Sequence, residues 1–127
     1  MRRLVHTSIL TLLLSACSSF QTYVITLTVL SSSSALQKDV ELDLYLNGYL
    51  KERTTFSAGK ATSLTYQLSP GTVVCAAASR IDPAETVSIK GSVPDRGQGL
   101  PVGISVEDGN GRLKLSSEFA TSVSSCP

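Results

Sequence analysis

Apolar residues recur at every second position through most of this chain. Tyr23, Ile25, Leu27 and Val29 alternate with Thr26 and Thr28, so the stretch 20–30 predicts a strand. The clearest signal lies at 39–56. Val40, Leu42, Leu44 and Leu46 alternate with Asp39, Glu41, Asp43 and Tyr45, and Asn47-Gly48 follows as a hairpin cue. A two-residue turn pairs Leu46 with Tyr49 and sets Asp43 against Glu52, a repulsive cross-strand contact. A three-residue loop, Leu46-Asn47-Gly48, sets Tyr45 opposite Tyr49, Leu44 opposite Leu50, Asp43 opposite Lys51 and Glu41 opposite Arg53. The charges favour this second register.

The alternation continues at Leu64, Tyr66 and Leu68, after a turn around Gly59. Ser69-Pro70-Gly71 turns the chain again. Residues 72–81 are apolar on both faces from Val73 to Ala78, which predicts a central strand covered on both sides, its alanines allowing close approach. Asp82-Pro83 ends it. Val87, Ile89 and Val93 form the next strand, and residues 94–99 a loop. Leu100, Val102, Ile104 and Val106 form another, with Pro101 arguing for a sheet edge. Leu113, Leu115 and Phe119 complete the series, and residues 122–127 read as a tail. Eight short strands between Gly, Pro and Asn turns, with no helix-period segment, predict an all-β fold. It is an antiparallel β-sandwich or a small cracked barrel.

The first residues follow another grammar. Met1-Arg2-Arg3 is a basic start, residues 4–14 are a leucine-rich apolar run, and Ser15-Ala16 are small residues before Cys17. The run is shorter than the roughly 20 residues that span a bilayer, so it reads as an export signal of the general secretory route. Leu14-Ser15-Ala16-Cys17 resembles the lipobox of bacterial lipoproteins. That resemblance implies removal of residues 1–16, lipidation of Cys17, a short tether at 17–19 and a single domain at 20–127. The other reading is an ordinary secretory signal cut nearby. Two or more acyl chains anchor a protein stably. Ser18 stands where an Asp usually retains Gram-negative lipoproteins at the inner membrane, so the resemblance implies the outer membrane, facing the periplasm.

Removing residues 1–16 leaves 111 residues of the 127, enough for one domain. Arg2 and Arg3 leave with the signal, so nine basic residues face ten acidic ones. No basic field remains for nucleic acid. The sole histidine, His6, leaves as well. Without imidazole, a Ser-His-Asp or Cys-His site is excluded and a zinc site disfavoured. Cys75 and Cys126 remain. In an oxidising compartment they suggest a disulfide tying the tail to the central strand, against a buried free Cys75 with an exposed Cys126. Asp108-Gly109-Asn110-Gly111 shares part of a calcium-loop pattern but lacks the later ligands, so a tight turn is the reading. Asp43 and Arg53 are candidates for a site, but cross-strand charge pairing is the reading for each. No catalytic residue, cofactor or metal is expected, so the chain reads as a binder and not an enzyme.

The stretch DVELDLYLNGYLKERTTFSAGKATSLTYQLSPG, residues 39–71, resembles the hairpin core of pilotin lipoproteins of type III secretion, of the YscW/ExsB type. It shares an alternating strand, a glycine turn, a charged return strand ending in Thr-Phe, a second Gly turn and a strand ending in Leu-Ser-Pro. The resemblance implies a monomeric sandwich on the outer membrane that binds the C-terminal segment of a secretin, the ring-forming pore subunit, and promotes its targeting and assembly. It assigns no binding residue. A structural envelope lipoprotein and a carrier of a lipid or small apolar ligand are the alternatives. Pro101 and the hairpin charges discourage edge pairing, so a groove is expected to receive the partner.

Overall fold

The computed structural model describes residues 24–96 and 100–127. The signal segment, Cys17, the 17–19 tether and the start of the first expected strand, Tyr23 included, lie outside the described residues. So do residues 97–99 of the expected loop.

The fold is a β-sandwich of two sheets. Its strands are β1 (Ile25–Ser31), β2 (Val40–Leu46), β3 (Tyr49–Phe56), β4 (Thr62–Leu68), β5 (Val73–Ile81), β6 (Ala84–Ser92), β7 (Val102–Glu107), β8 (Lys114–Ser117) and β9 (Thr121–Val123). One sheet has the order β4-β1-β7-β8, the other β3-β2-β5-β6-β9. The period-two pattern states which side chains meet between them. Ile25, Leu27 and Val29 of β1 are fully buried, as are Val40, Leu42 and Leu44 of β2, and Val74, Ala76 and Ala78 of β5. Burial of alternating aliphatic side chains, roughly 1.5–3 kcal/mol each, is the main force holding the sheets together.

Four details differ from the sequence reading. First, the β2–β3 hairpin turns through two residues, Asn47 and Gly48, both with positive φ (51° and 85°), and Leu46 faces Tyr49. The repulsion expected of that register is relieved by a bulge. The register shifts after Tyr45↔Leu50, so Leu44 faces Glu52 and Asp43 faces Arg53. The extra residue is Lys51, which the expected three-residue loop would have set against Asp43. A bulge adds one residue to one strand and re-aims those beyond it.

Second, the expected edge strand is interior. β7 lies between β1 and β8. Pro101 precedes its first residue, where a missing N–H costs no ladder bond. Third, the described residues form nine strands, and β7 runs parallel to β1, so this sheet is mixed and not wholly antiparallel. The ninth strand, β9, overlaps the start of the expected tail and pairs with β6 through Ser88↔Val123 and Lys90↔Thr121. Fourth, β5 is central in its sheet but its outer face is only partly covered. Cys75 is buried there, whereas Ile81, at the far end of the strand, is 93% exposed.

Candidate functional site

The side-chain chemistry concentrates at one end of the sandwich, where β5 passes to β6 through Ile81-Asp82-Pro83. Arg80 lies on the inner face of β5, opposite Glu85 of β6. Only 4% of its side chain is exposed. Its Nη2 donates to Glu85 Oε1 at 2.8 Å and to the Gly111 carbonyl, and its Nε donates to the Pro83 carbonyl at 3.2 Å. Its Nη1 lies 3.9 Å from Asp108 Oδ2, on a side chain that is 2% exposed.

Each carboxylate also ties down a loop. Asp108 Oδ2 accepts the backbone N–H groups of Gln37 (2.8 Å) and Lys38 (3.3 Å), and the Asp108 N–H donates to the Ala35 carbonyl at 3.0 Å. The β1–β2 loop is thereby fixed to the turn after β7. Glu85 Oε1 accepts the Leu113 N–H at 2.8 Å, and Oε2 accepts Arg112 Nε at 3.2 Å. The Leu113 bond first, then the Arg112 contact, holds the Glu85 carboxyl below its ordinary range, against an opposing effect of burial. Buried charges of this kind are tolerated because they are paired and hydrogen-bonded. The Asp108–Gly111 stretch is a tight turn containing a short 3-10 segment, Gly109–Gly111, as its composition indicates. Its first carboxylate faces inward to Arg80 and to backbone donors. Among the described residues, no group of three or more His, Cys, Asp or Glu side chains is placed to hold a metal ion.

Beside this clasp lies a surface depression of about 490 Å³. Lys38, Glu41, Thr55, Ser79, Ile81 and Asp82 contribute to its lining. Lys38 Nζ donates to the Asp82 carbonyl at 2.6 Å, which joins the two sides of its rim. Asp39 is occupied as an acceptor for the Ala58 N–H at 2.9 Å. Charged groups of Lys38, Glu41 and Asp82 stand around a lining that is mostly apolar, with Ile81 as its most exposed aliphatic side chain.

The other residues singled out from the sequence fall as follows. Arg53 Nε and Nη2 donate to the two Asp43 carboxylate oxygens at 2.8 and 3.0 Å, with Glu41 3.7 Å from Arg53 Nε. The Asp43 hydrogen bond, and the negative charges of Asp43 and Glu41, push the Arg53 guanidinium above its ordinary range. Both residues have the expected cross-strand role on a solvent-facing surface, but they face each other and not the expected Lys51 and Glu41. Cys75 and Cys126 form a disulfide with a Cα–Cα distance of 5.8 Å, covering part of the outer face of β5. Cys17, the expected lipidation site, lies outside the described residues.

Two features were missed by sequence reasoning. One is the Arg80 clasp. The other is Tyr66 Oη of β4, which donates to Glu52 Oε1 of β3, joining the long edge strands of the two sheets. Burial first, and then the Glu52 hydrogen bond, push the Tyr66 phenol above its ordinary range. Glu52 therefore serves as an inward-turned charge on an edge strand, a device that discourages edge-to-edge pairing.

No helix among the described residues is long and apolar enough to cross a membrane. No family model matches the chain, and no curated protein does. Among solved structures, the chain is similar to the T6SS lipoprotein TssJ1 from Pseudomonas aeruginosa, at 12% identity and a TM-score of 0.43, over 80% of this chain and 100% of that one.

Proposed function

We propose that this chain is an outer-membrane lipoprotein held by an acylated Cys17, and that it works by binding and not by catalysis. Its partner in this reading is the C-terminal segment of a secretin of a type III secretion system, which it delivers to the outer membrane as a pilotin. The observation that carries the anchor is the Leu14-Ser15-Ala16-Cys17 sequence closing the apolar run. The Cys75–Cys126 disulfide fits an exported protein in an oxidising compartment. The pilotin resemblance falls on β2, β3 and β4, and the depression beside Ile81 is the groove we assign to the partner segment. Its mostly apolar lining, with Lys38, Glu41 and Asp82 around it, fits a peptide segment that carries both apolar and polar side chains.

A secretin tail that folds on contact spends a few kcal/mol on ordering, so affinity in the micromolar to nanomolar range is expected. The test has two arms. Cys17→Ser should move the protein from the outer-membrane fraction to the soluble periplasm. The soluble Cys17→Ser protein should then bind a peptide of the last few dozen residues of the cognate secretin, and Ile81→Asp should weaken that binding. Absence of saturable binding at tens of micromolar refutes the pilotin reading, and persistence of Cys17→Ser in the outer membrane refutes the anchor.

A further inference from the structure

The end of the sandwich opposite Ile81 gathers most of the exposed large apolar side chains. Val24, Tyr49, Leu50 and Leu100 all carry substantial exposure, and Tyr49 is 80% exposed. Strand pairing brings them together although they are far apart in sequence. Val24 immediately precedes β1, whose first residue, Ile25, faces Leu68, the last of β4. β7 runs parallel to β1 with Val102 beside Leu27, which sets Leu100 at the same end. From Leu68 the chain turns through residues 69–72 into Val73. The Val73 carbonyl accepts the Asn47 N–H at 2.8 Å, and the Val73 N–H donates to Asn47 Oδ1 at 2.9 Å. The hairpin tip and the Tyr49-Leu50 pair that follows it are thereby fixed to this end as well.

This is also the end at which the N-terminal segment enters the fold. Cys17 precedes Val24 by seven residues, a span of at most about 25 Å when fully extended. β1 itself rises about 3.3 Å per residue over its seven residues. A chain acylated at Cys17 therefore keeps Val24 within about 25 Å of the bilayer, and Ile81 lies about one strand length from that end of the sandwich. Tyr49 has the amphipathic ring that membrane–water interfaces favour. Lys51, exposed at the bulge, has an apolar stem and a cationic head suited to the same depth.

We propose that Val24, Tyr49, Leu50 and Leu100 form a membrane-seating surface that rests on the headgroup region of the anchoring leaflet and sets the domain upright, with the depression at Ile81 turned away from the lipid. The inference rests on acylation of Cys17, and it adds a second, non-covalent contact that fixes orientation. A tethered domain without such a contact would tumble on its linker and present all faces equally.

The chain contains no tryptophan, so a single indole reports on a single place. Full-length protein, processed and lipidated, is reconstituted into phosphatidylethanolamine and phosphatidylglycerol vesicles as the Tyr49→Trp variant and, separately, as Ile81→Trp. Both sites are exposed, so neither substitution disturbs the core. The Tyr49→Trp emission should move to shorter wavelength in vesicles, relative to the same variant made soluble by Cys17→Ser. It should also be quenched by phospholipid brominated near the headgroup end of its chains, whereas Ile81→Trp should show neither change. Equal behaviour of the two variants in protein that floats with the vesicles overturns the seating surface and leaves the anchor standing. It would also leave this apolar end free for a protein partner or a second copy. Failure of both variants to float overturns the anchor and the seating surface together.

Discussion

Replacing Arg80 by methionine should destabilise the domain far more than loss of an ordinary ion pair. Methionine keeps much of the buried stem and removes the guanidinium. What remains is the Asp108 carboxylate, 2% exposed, with only the Gln37 and Lys38 N–H groups for partners, and the Gly111 and Pro83 carbonyls without their donor. Breaking a buried pair from one side costs about 3–5 kcal/mol, because a charge is left uncompensated. Glu85 keeps Leu113 and Arg112 and is partly open to solvent, which places the loss near the lower figure. For a domain of this size each kcal/mol lowers Tm by about 4–8 °C. A fall of roughly 12–24 °C is expected when the Cys17→Ser protein, its disulfide intact, is melted by circular dichroism.

The cause can be separated from simple loss of packing. Asp108→Asn removes the charge but leaves an amide oxygen to accept the Gln37 and Lys38 N–H groups. Added to Arg80→Met, it should recover part of the loss, with a coupling of at least about 1 kcal/mol, as residues sharing one network show. A fall of only a few degrees for Arg80→Met, or strict additivity in the double variant, would refute the account of the clasp.

Loss of the Cys75–Cys126 bond, separated by 51 residues, should cost about 4 kcal/mol in the chain-entropy picture. Purified wild-type protein should show no alkylatable thiol without reductant, and the double Cys→Ala variant a lower urea midpoint. Gly91→Ala should cost about 1–3 kcal/mol by overpacking. A Cβ there would stand 2.3 Å from the Phe119 carbonyl oxygen and 2.8 Å from the Ala120 Cα, so the approach to β9 must shift, and amide exchange at 119–123 should quicken. Glu85→Gln should flatten the acid limb of stability. A carboxyl lowered in the folded state from its ordinary value near 4.5 contributes stability above that value and loses it as pH falls through the folded one. The gap in urea midpoint between wild type and Glu85→Gln should close below about pH 4.5, and a constant gap would contradict this.

Much of the sandwich was legible because burial follows a period of two. Residues such as Leu27, Leu42 and Ala76 face inward for the reason their spacing gives. The hairpin register was not legible. Both simple registers placed a charge against an unsuitable neighbour or gave up the tight Asn47-Gly48 turn, and the chain does neither, because Lys51 is set aside in a bulge. Pro101 misled for a related reason. A proline forbids a ladder bond only at its own N–H, so one residue ahead of β7 it places no constraint on where that strand sits in the sheet. β9 was missed because three residues carry too little alternation to stand out from a Ser-rich tail.

The clasp at the far end shows why site chemistry is harder to read than fold. Asp108-Gly109-Asn110-Gly111 signals a turn whether its first carboxylate faces water or the core, since the turn needs only the backbone freedom of Asn and Gly. The deciding partners are remote, because Gln37 is 71 residues away and Arg80 comes from the other sheet. Within the apolar run of β5, Arg80 looks like the residue that ends the strand's buried segment. The structure instead keeps it inside, two positions beyond Ala78 on the same face. A charge enters a core only where every acceptor around it is already in place, and here those acceptors come from the β5–β6 turn, from β6 and from the turn after β7. The clasp therefore fixes three connections at the end that carries the depression. If the depression receives a partner segment, its shape is set before binding, and the ordering cost falls on the partner alone.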